Sequence, residues 1–404
     1  MLNRLRNVTS GYPRQFWLIF WGMLINSTGG SMVWPFLTIY MRQQLNVPLT
    51  SVALLLTIYS VASLLTTSFT GPAVDRFGRK GVMLVSLLVG GGVLLGMRVA
   101  DTLPLWAALM AIFGGFDPLL RIGGNAMVAD LVEPERRTAA YALLRTIANL
   151  GVAIGPSIGG FITSVSYAIA FFIAAAAQIL YAMLVLFFVS ETAPRREADE
   201  QPVGVGYGPV LRDRGFVSFC GMYVLSVMSY SLIMILLPVY VKENFGVPEN
   251  QYGFIMATNA AMVVLLQYVI TRVTERFRAF MVLAVGSLFI GLGVGSVAWG
   301  SGFFAFLISM ILLTIGEMII VPTSTALTAN FAPIDMRGRY MGLYSLVWSV
   351  GFGIGPVIGG LLNDQLAPVA IWYGGLVMGL LGAIGFLILE RKMPSRAIDR
   401  MITI

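Results

Sequence analysis

The run GVAIGPSIGG occupies residues 151–160, and two hundred residues later the chain reads GFGIGPVIGG at 351–360, the same at seven of ten positions. Both are apolar helical runs broken by Gly and Pro, and the register extends outward from them. IYMRQQLNVP (39–48) falls on VYVKENFGVP (239–248), which sets Arg42 over Lys242 and Val47-Pro48 over Val247-Pro248. DRFGRK (75–80) falls on ERFRAF (275–280), and ADLVEPERR (129–137) on ANFAPIDMR (329–337). A fixed offset over so much of the chain means two homologous halves. We divide it as residues 1–190, a linker at 191–215, and residues 216–404. The linker, ETAPRREADEQPVGVGYGPVLRDRG, is the most polar internal stretch.

The solvent of these halves follows from composition. The 404 residues are 57% hydrophobic and 11% charged, against roughly 25% charged in ordinary soluble chains. A bilayer core about 30 Å thick takes on the order of 20 apolar residues per helix, and twelve runs of that kind can be counted, six in each half. The first lacks the small-residue cleavage pattern of a signal peptide, so it is expected to stay as a span. The expected fold class is therefore all-α, with twelve transmembrane helices in two pseudo-symmetric six-helix bundles. A net charge of +7 is topology rather than a nucleic-acid patch. Of the 26 Lys and Arg, only Arg42 and Lys242 fall on one side, Arg98, Arg121 and Arg145 fall within spans, and the rest share the side of both termini. That bias puts both termini in the cytoplasm. With one Cys and no His, intrachain disulfides, zinc sites and His-based catalysis drop out.

Two parallel six-helix halves joined by a flexible cytoplasmic linker form a transporter architecture, with the substrate site at the midplane. Three motifs sharpen this. Gly71, Asp75, Arg76, Gly78, Arg79 and Lys80 closely resemble the GxxxDRxGRR/K loop between helices two and three of the major facilitator superfamily. The resemblance implies a conformational latch, in which Asp75 acts on the start of the eleventh span and Arg79 pairs with Asp130. Gly78 permits a tight turn, and a carboxylate facing a helix N-terminus is favoured. In the fifth span, Gly151, Gly155, Pro156, Gly159 and Gly160 resemble the family's antiporter motif. The eleventh span repeats it as Gly351, Gly355, Pro356, Gly359 and Gly360 and also has the earlier glycine, Gly342, where the fifth span has Ala142. Small residues at fourfold spacing allow close helix approach, and Pro removes a backbone bond. In the family the motif goes with exporters that exchange drug for protons. GGNAMVAD (123–130) and Gly316-Glu317 carry a closer resemblance to proton-coupled bacterial multidrug exporters, which implies the bacterial cytoplasmic (inner) membrane, a monomer, and the proton as coupling ion with no other cofactor. The family's usual mid-helix Arg on the fourth span is missing, and the chain is apolar near Leu109.

The repeat register also aligns Asp117 with Glu317, the two carboxylates deep within spans, on the fourth and tenth. A charge at that depth costs roughly 2.5–3.5 kcal/mol on insertion scales and marks a functional site by default. Both are candidates for proton coupling, but their neighbours differ. Arg121, one turn after Asp117, is an i,i+4 partner able to keep it ionised, which fits a structural or gating pair. No charged residue accompanies Glu317 between Leu313 and Val321, so desolvation disfavours its ionised form, as a residue that loads and releases a proton requires. Arg145 is a second candidate partner for a fourth-span carboxylate. Asn26, Trp34, Tyr230, Asn259 and Trp348 are candidates for a cavity that suits bulky hydrophobic or cationic ligands. The function these features support is proton-coupled export of small amphiphilic or cationic compounds by alternating access. The alternative is a specific sugar or metabolite transporter on the same fold. An enzyme would need a nucleophile–base pair or a metal cluster, and the sequence offers none.

Overall fold

The computed structural model describes residues 12–133, 136–192, 207–333 and 336–393. Every regular element among them is helical. The first half holds α1 (Arg14–Val33), α2 (Leu37–Leu45), α3 (Leu49–Phe77), α4 (Arg79–Val99), α5 (Leu103–Leu131), α6 (Arg137–Val165) and α7 (Tyr167–Phe188). A short α8 (Gly208–Arg212) leads to α9 (Arg214–Phe245), α10 (Glu249–Thr274), α11 (Ala279–Ser296), α12 (Gly302–Phe331), α13 (Arg337–Gln365) and α14 (Ala370–Lys392). Among the described residues, eleven helices are long and apolar enough to cross a membrane. The twelfth long helix, α1, is diluted by Trp17, Trp21, Asn26, Ser27, Thr28 and Ser31 and is not among those eleven.

The repeat seen in sequence is a repeat of packing. In the first half α1 packs on α6 and α7, and α4 on α5 and α7; in the second, α9 packs on α13 and α14, and α11 on α12 and α14. The C-terminal ends of α2 and α9 also correspond. Asn46 (φ 49°) and Gly246 (φ 65°) both take left-handed backbone, two hundred residues apart and each before Val-Pro. A left-handed residue ends a helix, and Pro two residues later forbids its resumption. In α6 and α13 the helix runs unbroken through Pro156 and Pro356.

By contacts the chain forms two compact units, Met1–Leu37 with Val61–Asp199, and Thr38–Ser60 with Glu200–Ile404. This departs from the sequence division at 38–60. Thr38–Ser60 joins the second unit because its polar groups bond there. Arg42 Nε donates to Glu243 (3.0 Å), the backbone N–H groups of Leu49 and Thr50 to Asp364 (3.3 and 2.9 Å), and Thr57 Oγ1 to the Gly353 carbonyl (2.5 Å). Much of the linker, residues 193–206, lies outside the described residues.

Candidate functional site

In the second unit, Glu317 sits partly buried on α12, in the helix's apolar middle. Its neighbour Gly316 fixes it there. A Cβ on Gly316 would come within 2.7 Å of the Gly286 carbonyl oxygen and the Ile290 nitrogen, so α11 and α12 meet backbone to backbone. Asn259 Nδ2, from α10, donates to Glu317 Oε2 at 2.8 Å and to Thr314 Oγ1 at 2.9 Å. Tyr230 of α9 lines the same pocket as the carboxylate. Trp348 of α13 stands edge-on to Tyr230 and Tyr223, ring centroids 6.1 Å apart in each case. Glu317, Tyr223, Tyr230 and Trp348 line one pocket, whose described lining holds no Lys or Arg. The fold thus gathers three of the five cavity candidates, Tyr230, Asn259 and Trp348, around the acid. Chemically this is a carboxylate held by a neutral donor under aromatic edges, able to be protonated in place or to face a cation.

Asp117 and Asn26 belong to the first unit and line a different pocket with Ser86 and Gln178. Trp34 is exposed at the start of the 3-10 turn that follows α1. The expected pairing of Asp117 with Arg121 or Arg145 is not formed. Both arginines are exposed, and neither makes an ion pair among the described residues. An exposed pair one helical turn apart returns only about 0–1 kcal/mol and must hold two flexible side chains in one geometry.

In the first unit, Gly78 breaks the helical path between α3 and α4 with φ +80°. Arg79 Nε donates to Asp130 Oδ2 at 3.0 Å, which is the pairing the loop motif implies. Lys80 Nζ reaches the Leu186 carbonyl at 2.8 Å, and the Arg76 guanidinium stands 5.5 Å from the Phe77 ring centroid. A group the sequence did not flag completes this cluster. The Glu191 carboxylate, at the end of the sixth span, accepts the backbone N–H groups of Arg79 and Lys80, each at 3.0 Å, and so caps α4. Thr192 Oγ1 adds a bond to Asp130 at 2.9 Å. The available signal was Glu-Thr directly after an apolar run, one span away in space and over a hundred residues away in sequence. In the second unit Arg278 occupies the place of Gly78. There the backbone is extended (φ −62°), and the side chain pairs with Glu390 at 3.0 Å. The side-chain surroundings of Gly71 and Asp75, and so the proposed action of Asp75, lie outside the described residues.

The glycine motifs are helix seams. A Cβ on Gly151, Gly155 or Gly159 would overlap Ser27 Oγ, Ser31 Oγ and the Met32 carbonyl oxygen of α1, respectively. On Gly351, Gly355 or Gly359 it would overlap the side chains of Val227, Ser231 and Leu236 of α9. A hydroxyl locks each seam. Ser31 Oγ donates to the Gly151 carbonyl at 3.0 Å, and Ser231 Oγ to the Gly351 carbonyl at 3.1 Å. Gly360 lies against the Thr50 backbone, where a Cβ would be 2.7 Å from its Cα, and Gly160, Pro156 and Pro356 are buried.

The sequence profile of the Major Facilitator Superfamily matches residues 19–225 and again 219–401. Among curated proteins, the chain is 27% identical over 401 residues to the "Na(+), Li(+), K(+)/H(+) antiporter" of Planococcus maritimus, covering 91% of this chain and 92% of that one. It is also 27% identical over 351 residues to "Multidrug resistance protein MdtH" of Escherichia coli O1:K1 / APEC, covering 82% and 84%. Among solved structures, a point mutant of the nucleoside transporter NupG superimposes with a TM-score of 0.80 at 13% identity, over 93% of this chain and 100% of that one, a likeness of fold alone. With its duplicated helical halves, its membrane-spanning helices and this match along nearly the whole chain, the protein is an integral membrane transporter and belongs to the Major Facilitator Superfamily.

Proposed function

We propose that this transporter exports small hydrophobic or cationic compounds across a bacterial cytoplasmic membrane, with both termini in the cytoplasm, in exchange for protons. Glu317 carries the proton. The observation that supports this reading most directly is the setting of that side chain, an acid deep in α12, met by a neutral donor from α10, with Tyr230 of α9 beside it and no cation in the described lining of its cavity. Neutral donors can meet the carboxyl group in either protonation state, so it can take up a proton or give one off where the site meets water. Alternating exposure then lets one group take a proton on one side and release it on the other. One charge crossing 100 mV is worth about 2.3 kcal/mol, enough for well over tenfold accumulation of a neutral compound. The edges of Trp348, Tyr223 and Tyr230 supply adaptable apolar contact, and related proteins named for cation/proton antiport and for multidrug resistance agree with this chemistry. The deciding experiment is uptake into proteoliposomes under an imposed pH gradient, comparing wild type with Glu317→Gln. Gradient-driven transport is expected to vanish in the variant while substrate still stabilises the purified protein. Undiminished gradient-driven uptake in Glu317→Gln would remove this residue from coupling.

A further inference from the structure

The repeat also shows where the two units part in charge. α11 packs on α14 as α4 packs on α7. A Cβ on Gly379 would be 2.4 Å from Gly291 Cα, Ser287 Oγ donates to the Gly379 carbonyl at 2.9 Å, and Arg278 Nη1 donates to Glu390 at 3.0 Å. Residue numbers fall along one helix as they rise along the other, so the start of α11 meets the end of α14. In the first unit the matching corner supplies its own anion, for Glu191 caps α4 beside Thr192 and Asp130. Two hundred positions after Glu191 and Thr192 stand Arg391 and Lys392, and Arg278 replaces Gly78. Where the first unit places a carboxylate, the second places a cation. Arg276 adds a further exposed cation in the turn before α11. Glu390 meets one nitrogen of Arg278, whose side chain stays 64% exposed, and Glu275 is exposed beside Arg276.

Next to this corner both helices turn apolar side chains outward. Met281, Val285 and Leu288 on α11, and Leu381, Ile384 and Ile388 on α14, are exposed and recur every three or four residues. Residues at that spacing share one face of a helix. The cations continue the same stripes. Arg278 stands three residues before Met281, and Arg391 and Lys392 three and four residues after Ile388. The corner therefore offers positive charge at the ends of two membrane-spanning helices, with an apolar strip leading away along each. A guanidinium binds phosphate oxygens in a fixed fork, and basic side chains at the ends of spans are drawn to acidic headgroups. A charge bias between the two sides of a membrane accounts for cations at helix ends. It does not account for the exchange of Glu191 for Arg391, nor for the alignment of cations with exposed stripes. We infer that an anionic phospholipid binds the second unit at the seam of α11 and α14. Its phosphate rests on Arg278, Arg391 and Lys392 with Arg276 beside them, and its chains follow the two apolar stripes. This site is independent of the proton reading of Glu317.

Native mass spectrometry of the full-length protein, released from micelles doped with equal amounts of phosphatidylglycerol and phosphatidylcholine, reads this binding directly. One phosphatidylglycerol is expected to stay on each chain, preferred over phosphatidylcholine by about tenfold or more. Arg391→Gln/Lys392→Gln should abolish the preference. Both side chains are exposed and neither forms an ion pair among the described residues, so the fold is not at stake. Arg278→Gln/Glu390→Gln, which removes the third cation without stranding its acid, should weaken the preference as well. Arg212→Gln/Arg214→Gln takes two charges from elsewhere on the same unit and should leave it intact. Equal retention of the two lipids by the wild type overturns the site, as does an undiminished preference in Arg391→Gln/Lys392→Gln. An equal loss in Arg212→Gln/Arg214→Gln would overturn it too, by tracing the preference to net charge. Displacement of the lipid by inorganic phosphate would mean that the corner takes a free anion, and a dimer mass without lipid would mean that a second copy covers the face. Either result removes the lipid assignment, and none of these outcomes touches gradient-driven transport through Glu317.

Discussion

Replacing Gly78 with alanine adds one methyl group where both backbone and neighbours oppose it. At φ 80°, ψ 159°, backbone that essentially only glycine adopts, an L-residue pays about 1–3 kcal/mol, and the new Cβ would overlap Glu191 Oε2, inside the cap of α4. Gly78→Ala is therefore expected to lower the unfolding midpoint in detergent. Glu191→Ala alone should cost about 0.5–2 kcal/mol, the usual range for a lost cap. In the Glu191→Ala background Gly78→Ala should cost less than in wild type, since the clash is gone; equal costs would mean that the two residues do not meet. A second prediction concerns Asn259. Asn259→Leu removes a donor from the Glu317 carboxylate, and a buried acceptor left unmatched costs about 1–3 kcal/mol. Thermal unfolding should show that loss at neutral pH, and an unchanged midpoint would argue that Asn259 is incidental. These two acids show how unevenly sequence reveals a residue. Glu317 announces itself because a carboxylate in an apolar run has no cheap explanation. Glu191 stands at the edge of a polar stretch where carboxylates are ordinary, and only the folded chain brings it to the start of α4.

At the level of helices, α3 is a single continuous element whose first turn is capped by a residue far along the chain. Asp364 accepts the N–H groups of Leu49 and Thr50 and, at 2.7 Å, the Thr50 hydroxyl. These are donors that a helix start leaves without partners of its own. Asp364→Ala should loosen that turn by about 1 kcal/mol. The measurement is hydrogen exchange, with amides of the first turn of α3 losing protection while those near Phe77 keep theirs. Asp364→Asn, which retains one oxygen, should lose less. Uniform exchange across α3 in both variants would count against the cap. Periodicity and Gly/Pro punctuation made the helices themselves legible, because spans must be long and apolar. Such caps were not legible. A bond between position 50 and position 364 leaves no periodic trace, and it is also why residues 38–60 group with the second unit rather than with the half the repeat assigns them.

For the molecule as a whole, the duplication makes a quantitative claim. Ser31 and Ser231 perform the same act in separate units, each donating to the carbonyl of the glycine that opens its motif. Ser31→Ala and Ser231→Ala should each cost on the order of 0.5–1.5 kcal/mol, and the double variant should cost their sum within about 0.5 kcal/mol. A markedly non-additive result would mean that the seams communicate. The constant offset of two hundred exposed this architecture before any coordinates, and it also aligned Asp117 with Glu317. It could not say that matched positions face unlike surroundings, since that depends on which amides, hydroxyls and rings the neighbouring helices bring. The Asp117–Arg121 pairing failed for a related reason. Spacing along one helix shows that two groups can meet, and solvent decides whether they do.

Along α6 the seam is one-sided. Gly151, Gly155 and Gly159 are pressed against α1, while Val152, Ile154 and Ile158 turn outward and are exposed. A library of all single substitutions, scored for survival on a toxic substrate, should therefore read like a comb, with teeth of intolerance every fourth position and open gaps between them. The same comb should recur along α13. Laboratory selection for a broader spectrum of exported compounds would then find its winners in the gaps or on other helices, never on the teeth.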